Sequence, residues 1–348
     1  YTKSFQPFII FFIFNKERDM KKTFFNQITL FITKTSIMVG GQAVINGVMM
    51  RVPGFYSTAV RNPKNEIIFN RKKHTSIVER YKCNNIPIIR GFLHLVDSMK
   101  IGFKTLEWSA EIAEEETPSN KLISFFMTLL SIGFAITLFM GIPYLLAEFG
   151  LNQISITSKL SANQFFFNMA AGSLRIFVFL LYLYFISRLK DVRCLFQYHG
   201  AEHKVVYNFE SGQSIDVKTA QTFSTQHPRC GTSFVFILML VTIITYAVTD
   251  SLVAYLGLIS FTIPTRILFH LVLLPLVTGI GYEVLKFLAK KQHNVFFASL
   301  SKPGLWLQNI TTKEPTDEQV EVSITALKSA FDGDIEEFIG QKFQADAI

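Results

Sequence analysis

Two histidines and a glutamate form the pattern in this chain that is best suited to chemistry. His199 and His203 are four residues apart, and Glu202 lies between them. On a helix this spacing puts both imidazoles on one face, where they can share a metal ion, and a nearby carboxylate can take a proton from water. The order His-x-x-Glu-His is the reverse of the zinc-peptidase motif. We predict zinc ligands at His199 and His203 and a general base at Glu202; the alternative is two histidines that only form hydrogen bonds.

Two further ligand groups follow in the same loop. His227 and Cys230 are three residues apart, immediately before a long apolar segment. Either could supply the third ligand of a catalytic site, which needs one position open to water. If both bind together with His199 and His203, the site is closed and structural.

Glu283 is a third candidate for the remaining ligand position. It follows Arg266 by 17 residues near the end of the last apolar segment, or about 26 Å of helix rise. That rise places Glu283 at the expected level of the histidine loop. The alternative for Glu283 is a salt bridge with Lys286 or Arg188.

Four long apolar segments must position these groups. Only 17% of the 348 residues are charged, 49% are hydrophobic and the mean hydropathy is +0.32. We predict transmembrane helices because apolar runs of about 20 residues cross a bilayer; the alternative is buried helices of a large soluble protein. Arg175 and Asp250 are expected to pair inside the bundle. The segments are 122–147, 165–187, 232–257 and 265–285.

Basic residues orient these helices. Twelve Lys and Arg lie in 38–121 and six in 188–232, whereas Lys159 alone lies between Glu148 and Gln164. The positive-inside rule therefore predicts cytoplasmic N and C termini in a bacterial inner membrane. The net charge of +8 is explained by the lipid bilayer as partner, together with other membrane proteins, and no nucleic-acid-binding motif is visible. The three cysteines are expected to be reduced thiols or metal ligands.

The predicted fold is a membrane α-helical protein with four transmembrane helices and a discontinuous cytoplasmic α+β domain. Residues 1–37 read as a low-complexity leader, 38–121 as an α+β segment with a hairpin, 188–231 as the loop with the candidate metal site, and 286–348 as a helical tail. An amphipathic helix is expected from Pro87, packed on the sheet or on the bilayer interface. Thr316 and Gln319 form a capping-box pattern before the tail helix.

Several motifs in combination resemble those of the YqhQ-like family, a bacterial group of polytopic membrane proteins of unknown function. The resemblance runs from about Val39 to the tail helix and implies a metal-dependent protein without naming a substrate. One departure is Asn46, where the family usually has Glu. The motifs are 40–51, 197–204, 227–233 and 281–283.

Two functions follow from this sequence. The first is a membrane-bound zinc-dependent hydrolase, such as a peptidase, acting at the cytoplasmic face. The second is a non-enzymatic, zinc-stapled membrane protein that assists membrane-protein insertion or assembly. A transporter is a weaker alternative, because four crossings with few buried charges give no evident substrate path.

Overall fold

A computed structural model describes residues 39–83, 85–114, 121–153, 160–228, 230–290, 295–331 and 334–340. The predicted leader, 1–37, lies outside these residues. The described part is mostly helical, with one small sheet.

The sheet is an antiparallel meander in the order β1-β2-β3-β4. A two-residue turn joins the first two strands, and Asn46 occupies its left-handed position with φ +49°. Asn tolerates this conformation better than most residues, so position 46 is a turn residue here. The strands are β1 (Gly40–Val44), β2 (Gly47–Val52), β3 (Phe55–Arg61) and β4 (Ile67–Lys73).

The helices follow the sheet along the chain. A π-helical turn, Thr137–Gly141, joins α3 to α4. The predicted capping box is confirmed, since Thr316 accepts from the Gln319 backbone and Gln319 bonds back to the Thr316 backbone. The helices are α1 (Ile77–Arg80), α2 (Ile89–Glu114), α3 (Lys121–Ile136), α4 (Ile142–Gln153), α5 (Leu160–Ile186), α6 (Lys190–Ser211), α7 (Val217–Gln221), α8 (Gly231–Tyr255), α9 (Ile263–Lys290), α10 (Val295–Thr311) and α11 (Asp317–Ala330), followed by a 3-10 turn, Asp334–Glu337.

Four stretches of helix in the described residues are long and apolar enough to cross a membrane, which makes the chain compatible with a multi-pass membrane protein. Each overlaps one of the four apolar segments predicted from the sequence. The first runs through the π-helical turn. The stretches are Phe125–Gly150, Gln164–Ile186, Phe234–Tyr255 and Ile263–Leu288.

The sheet separates two hydrophobic layers. On one face it packs against α6 and α11, and the core there includes Met50, Phe209 and Leu327. On the other face it packs against α2 through a smaller cluster that includes Val60 and Ile101. The sheet is therefore the middle of three layers and connects α2 to α6.

A buried polar cluster links the apolar helices α5, α8 and α9. Asp250 accepts hydrogen bonds from Asn168 and Arg266, each at 2.9 Å, and its other oxygen lies 2.9 Å from His270 Nε2. The predicted pair of Arg175 with Asp250 is wrong. Arg175 donates instead to a carbonyl oxygen of the π-helical turn and to the Tyr144 hydroxyl, each at 3.0 Å.

Candidate metal centre

Helix α6 presents His199 and His203 side by side. Their ring centroids are 4.5 Å apart, as expected for residues separated by one helical turn. Cys230 directly precedes α8, and its Sγ lies 3.2 Å from His199 Nε2. One ligand atom from each of these three residues lies within 4.8 Å of the others. The structure thus joins two groups from one helix to a third that is 31 residues from His199 along the chain.

Both imidazoles are oriented by backbone carbonyls. His199 Nδ1 lies 2.8 Å from the carbonyl oxygen of Thr311, and His203 Nδ1 contacts that of Thr225. A carbonyl oxygen can only accept, so each Nδ1 carries the proton and each Nε2 keeps a lone pair. This arrangement is typical of metal-binding histidines, whose second nitrogen donates to a carbonyl or carboxylate.

Gly200 allows the Thr311 carbonyl to reach its histidine. A Cβ at position 200 would lie 2.1 Å from the carbonyl oxygen of Lys313, which is too close for any side chain. The Lys313 backbone N–H donates to the carbonyl of Phe196, at 2.9 Å, on the same helix. Gly200 lowers helix propensity by about 1 kcal/mol relative to Ala, but here it permits this close contact.

Glu202 is buried beside the cluster. Its Oε2 lies 3.5 Å from His203 Nε2, and the exposed fraction of its side chain is 7%. The glutamate packs against Gly41 of β1, where a Cβ would lie 3.1 Å from Glu202 Cγ. A carboxylate that faces an imidazole lone pair is repelled by it, and a cation between the two groups would remove this repulsion.

His227 is a neighbour of the cluster. Its ring centroid is 5.5 Å from that of His203, and the histidine is buried. The Gln308 side chain of α10 holds the His227 backbone from both sides, accepting from its N–H at 2.7 Å and donating to its carbonyl at 2.9 Å. Among the described residues, His227 is outside the group whose ligand atoms come together.

The structure does not bring Glu283 to the cluster. Its two carboxylate oxygens accept from Arg90 Nε and Nη2 at 2.7 and 2.5 Å. These hydrogen bonds raise the pKa of the Arg90 guanidinium. Neither of the salt-bridge partners expected from the sequence, Lys286 and Arg188, is the residue that holds this bidentate contact.

Several contributors to the site carry no sequence signal. The carbonyls of Thr225 and Thr311 act through the backbone, so their residue types do not reveal them. Asn46 lies in its turn with its Oδ1 3.9 Å from Cys194 Sγ, away from the three ligand groups. Gln308 could have been suspected only as a polar residue on an otherwise apolar helix.

Three ligand groups and a carboxylate define what the cluster can do. Two imidazoles and a thiolate suit zinc, which prefers nitrogen and sulfur in tetrahedral geometry. Three protein ligands leave the fourth position for water or substrate, as in catalytic zinc sites. The arrangement fits a zinc ion with one open position, and Glu202 is placed to exchange protons beside it.

Comparison with known proteins places this geometry in a family. Residues 86–333 match the family described as "Protein of unknown function (DUF1385)". The chain is 33% identical over 302 residues to "Uncharacterized protein YqhQ" of Bacillus subtilis (strain 168), covering 82% of this chain and 89% of the relative. No solved structure gives a significant match. The match of both the family and this relative over most of the chain shows that the protein belongs to the YqhQ-like DUF1385 family, whose function is unknown.

Proposed function

We propose that this protein is a membrane-bound, zinc-dependent hydrolase with His199, His203 and Cys230 as ligands and Glu202 as general base. The orientation of the two imidazoles carries the proposal. Each Nδ1 faces a backbone carbonyl, so each Nε2 is free to bind a cation. Because the described structure gathers three ligand groups, the fit is to a site with an open position.

Glu202 would perform the proton transfers. A bound zinc ion would supply a Lewis acid that polarises a substrate carbonyl. Glu202 Oε2 would accept a proton from the attacking water and then donate it to the leaving nitrogen. Its burial excludes bulk water, and packing on Gly41 fixes its position. The reversed zinc-peptidase order of the motif favours a peptide bond as the substrate.

The membrane placement is part of the proposal. We place the four apolar helices in the bacterial inner membrane, with both termini in the cytoplasm, on the basis of the basic residues in 38–121 and 188–232. Cys230 immediately precedes α8. The proposed site therefore lies at the cytoplasmic face, with the lipid bilayer as one partner.

A closed, structural zinc site is the second candidate. The observation that favours it is the position of His227, buried and 5.5 Å from the His203 ring. A modest movement would bring it in as a fourth ligand beside His199, His203 and Cys230. The protein would then be a zinc-stapled factor for membrane-protein insertion or assembly rather than an enzyme.

Cobalt substitution separates the two candidates without knowledge of the substrate. The purified full chain in detergent is loaded with Co²⁺, and its visible spectrum is recorded with and without acetohydroxamate. An open site predicts a spectral change as the hydroxamate enters the free position. A spectrum that does not respond to hydroxamate would favour the closed site and overturn the hydrolase.

Substitution of the proposed base tests the enzyme directly. Glu202→Gln should keep its zinc and its hydroxamate response, because Glu202 is not a ligand. We expect its cleavage of a peptide library to fall by about 100-fold or more. A variant that cleaves the library as fast as the wild type would exclude Glu202 as the base.

A further inference from the structure

Helix α2 has an exposed apolar row along one side. The row recurs at spacings of three and four residues, as one face of a helix does. These side chains are large and are between 36% and 66% exposed. The members of the row are Val96, Met99, Phe103 and Leu106.

The opposite side of α2 is already occupied by the sheet. Gln42 of β1 donates to the carbonyl of Gly102 at 3.3 Å and to the Thr105 hydroxyl at 3.0 Å. Further along, the Ile45 backbone N–H donates to Ser109 Oγ at 3.1 Å. At about 100° per residue, these buried positions lie on the far side of the helix from the exposed row. The row therefore faces away from the sheet.

The start of α2 is fixed to the end of an apolar helix. Arg90 holds Glu283 of α9, and Gly91 packs so closely on Tyr282 that a Cβ would lie 2.6 Å from its Cβ. Glu283 lies within the span Ile263–Leu288, near its C-terminal end. The beginning of α2 is thus held at the level where α9 ends.

The far end of α2 is tied to the same level by chain length. α2 has 26 residues and is about 39 Å long. Only seven residue steps lead from Glu114 to Lys121, where α3 begins, and they reach at most about 25 Å. A helix standing upright on the membrane would carry Glu114 too far from the boundary for this connection. α2 must therefore run along the boundary.

We propose that α2 lies in the cytoplasmic interface of the bilayer, with Val96, Met99, Phe103 and Leu106 inserted among the lipid chains. The inference rests on the proposed membrane placement. The exposed Lys100 and Lys104 flank the row, where lipid phosphates lie. A soluble partner would also cover an apolar row, but the two ends of α2 hold this face toward the lipid.

This placement sets the height of the candidate site. Gln42 anchors β1 to α2, and the adjacent Gly41 packs against Glu202. The interfacial helix therefore fixes the level of the proposed base relative to the lipid surface. A substrate held at the membrane surface would reach Glu202 without leaving it.

Site-specific photo-crosslinking tests the inference. The photoreactive residue p-benzoylphenylalanine replaces Phe103, or Glu111 as an exposed polar control on the same helix, or Leu130 as an exposed position within the first apolar span. The full chain is reconstituted in vesicles of phosphatidylethanolamine and phosphatidylglycerol, irradiated, and analysed by mass. We expect lipid adducts at positions 103 and 130, and at least about five-fold fewer at 111.

The three positions distinguish the ways in which the inference can fail. Lipid adducts at 130, with position 103 no richer in them than 111, would overturn the interfacial helix and leave the membrane placement intact. Adducts of protein mass at 103 would overturn it in favour of a protein partner or a second copy. An absence of lipid adducts at both 103 and 130 would overturn the membrane placement and the inference together.

Discussion

At the scale of single residues, the proposed chemistry depends on which nitrogen of each histidine is free. Spacing alone puts His199 and His203 on one face of α6, and a pair of buried, hydrogen-bonded histidines would have the same spacing. The carbonyls of Thr225 and Thr311 distinguish the two cases, because they leave both Nε2 atoms available on the side of Cys230. The metal hypothesis therefore concerns three specific atoms.

Replacing the thiolate tests this ligand set. Cys230→Ser removes the sulfur that lies 3.2 Å from His199 Nε2, and a serine hydroxyl is a much weaker zinc ligand. We expect zinc affinity to fall by at least about 100-fold, measured by competition with a chromogenic chelator. Cys83→Ser is the matched control and should retain its zinc. Equal affinities for the two variants would remove Cys230 from the site.

The sequence predicts some of the candidate ligands better than others. His199 and His203 are close in sequence, so helical periodicity brings them together without tertiary information. Glu283 looked equivalent by its expected depth, yet its carboxylate is held by Arg90, 193 residues away. Helix rise gives depth along an axis but not the rotation or the neighbours of that helix. Sequence reasoning therefore had no means to foresee this pair.

At the scale of elements, the contact between α6 and the segment that follows α10 orients His199. Gly200 permits this contact, and the Lys313 N–H bonds to the Phe196 carbonyl across it. The hydrophobic patterns predicted the helices themselves, but not the close contact between them. Gly200 appeared in the sequence only as a weakness of its helix.

Substitution of this glycine should weaken zinc binding without removing a ligand. In Gly200→Ala the new methyl group would clash with the Lys313 carbonyl and push the Thr311 carbonyl away from His199 Nδ1. We expect zinc affinity to fall by about 10- to 100-fold, as for other changes around metal ligands. Gly231→Ala, next to Cys230 but with open space around its Cβ, should bind zinc like the wild type. Unchanged affinity in Gly200→Ala would refute the role of this contact.

At the scale of the whole molecule, the buried polar cluster holds the apolar helices in one arrangement. Asp250 receives donors from α5 and α9, and Tyr246 donates to the His270 carbonyl at 2.8 Å. The number of apolar helices followed from hydropathy. The partners of Asp250 did not, because they depend on how the helices are rotated and on the π-helical turn that accepts from Arg175.

Removal of the shared carboxylate should destabilise the bundle. Asp250→Ala leaves the buried Arg266 without its carboxylate partner, and breaking such a pair costs about 3–5 kcal/mol. We expect a lower thermal unfolding temperature in detergent, read by tryptophan fluorescence, with zinc still bound at low temperature. The double variant Asp250→Ala with Arg266→Leu should recover part of the loss. A single variant as stable as the wild type would show that the cluster does not hold the helices.

The most direct test of the account is X-ray absorption at the zinc edge of the purified full chain. We predict about one zinc per chain, with two nitrogens at about 2.0–2.1 Å, one sulfur at about 2.3 Å and one oxygen at about 2.0–2.2 Å. This shell corresponds to His199, His203, Cys230 and an open position filled by water. A protein that retains no zinc, or a zinc shell without sulfur, would contradict the account.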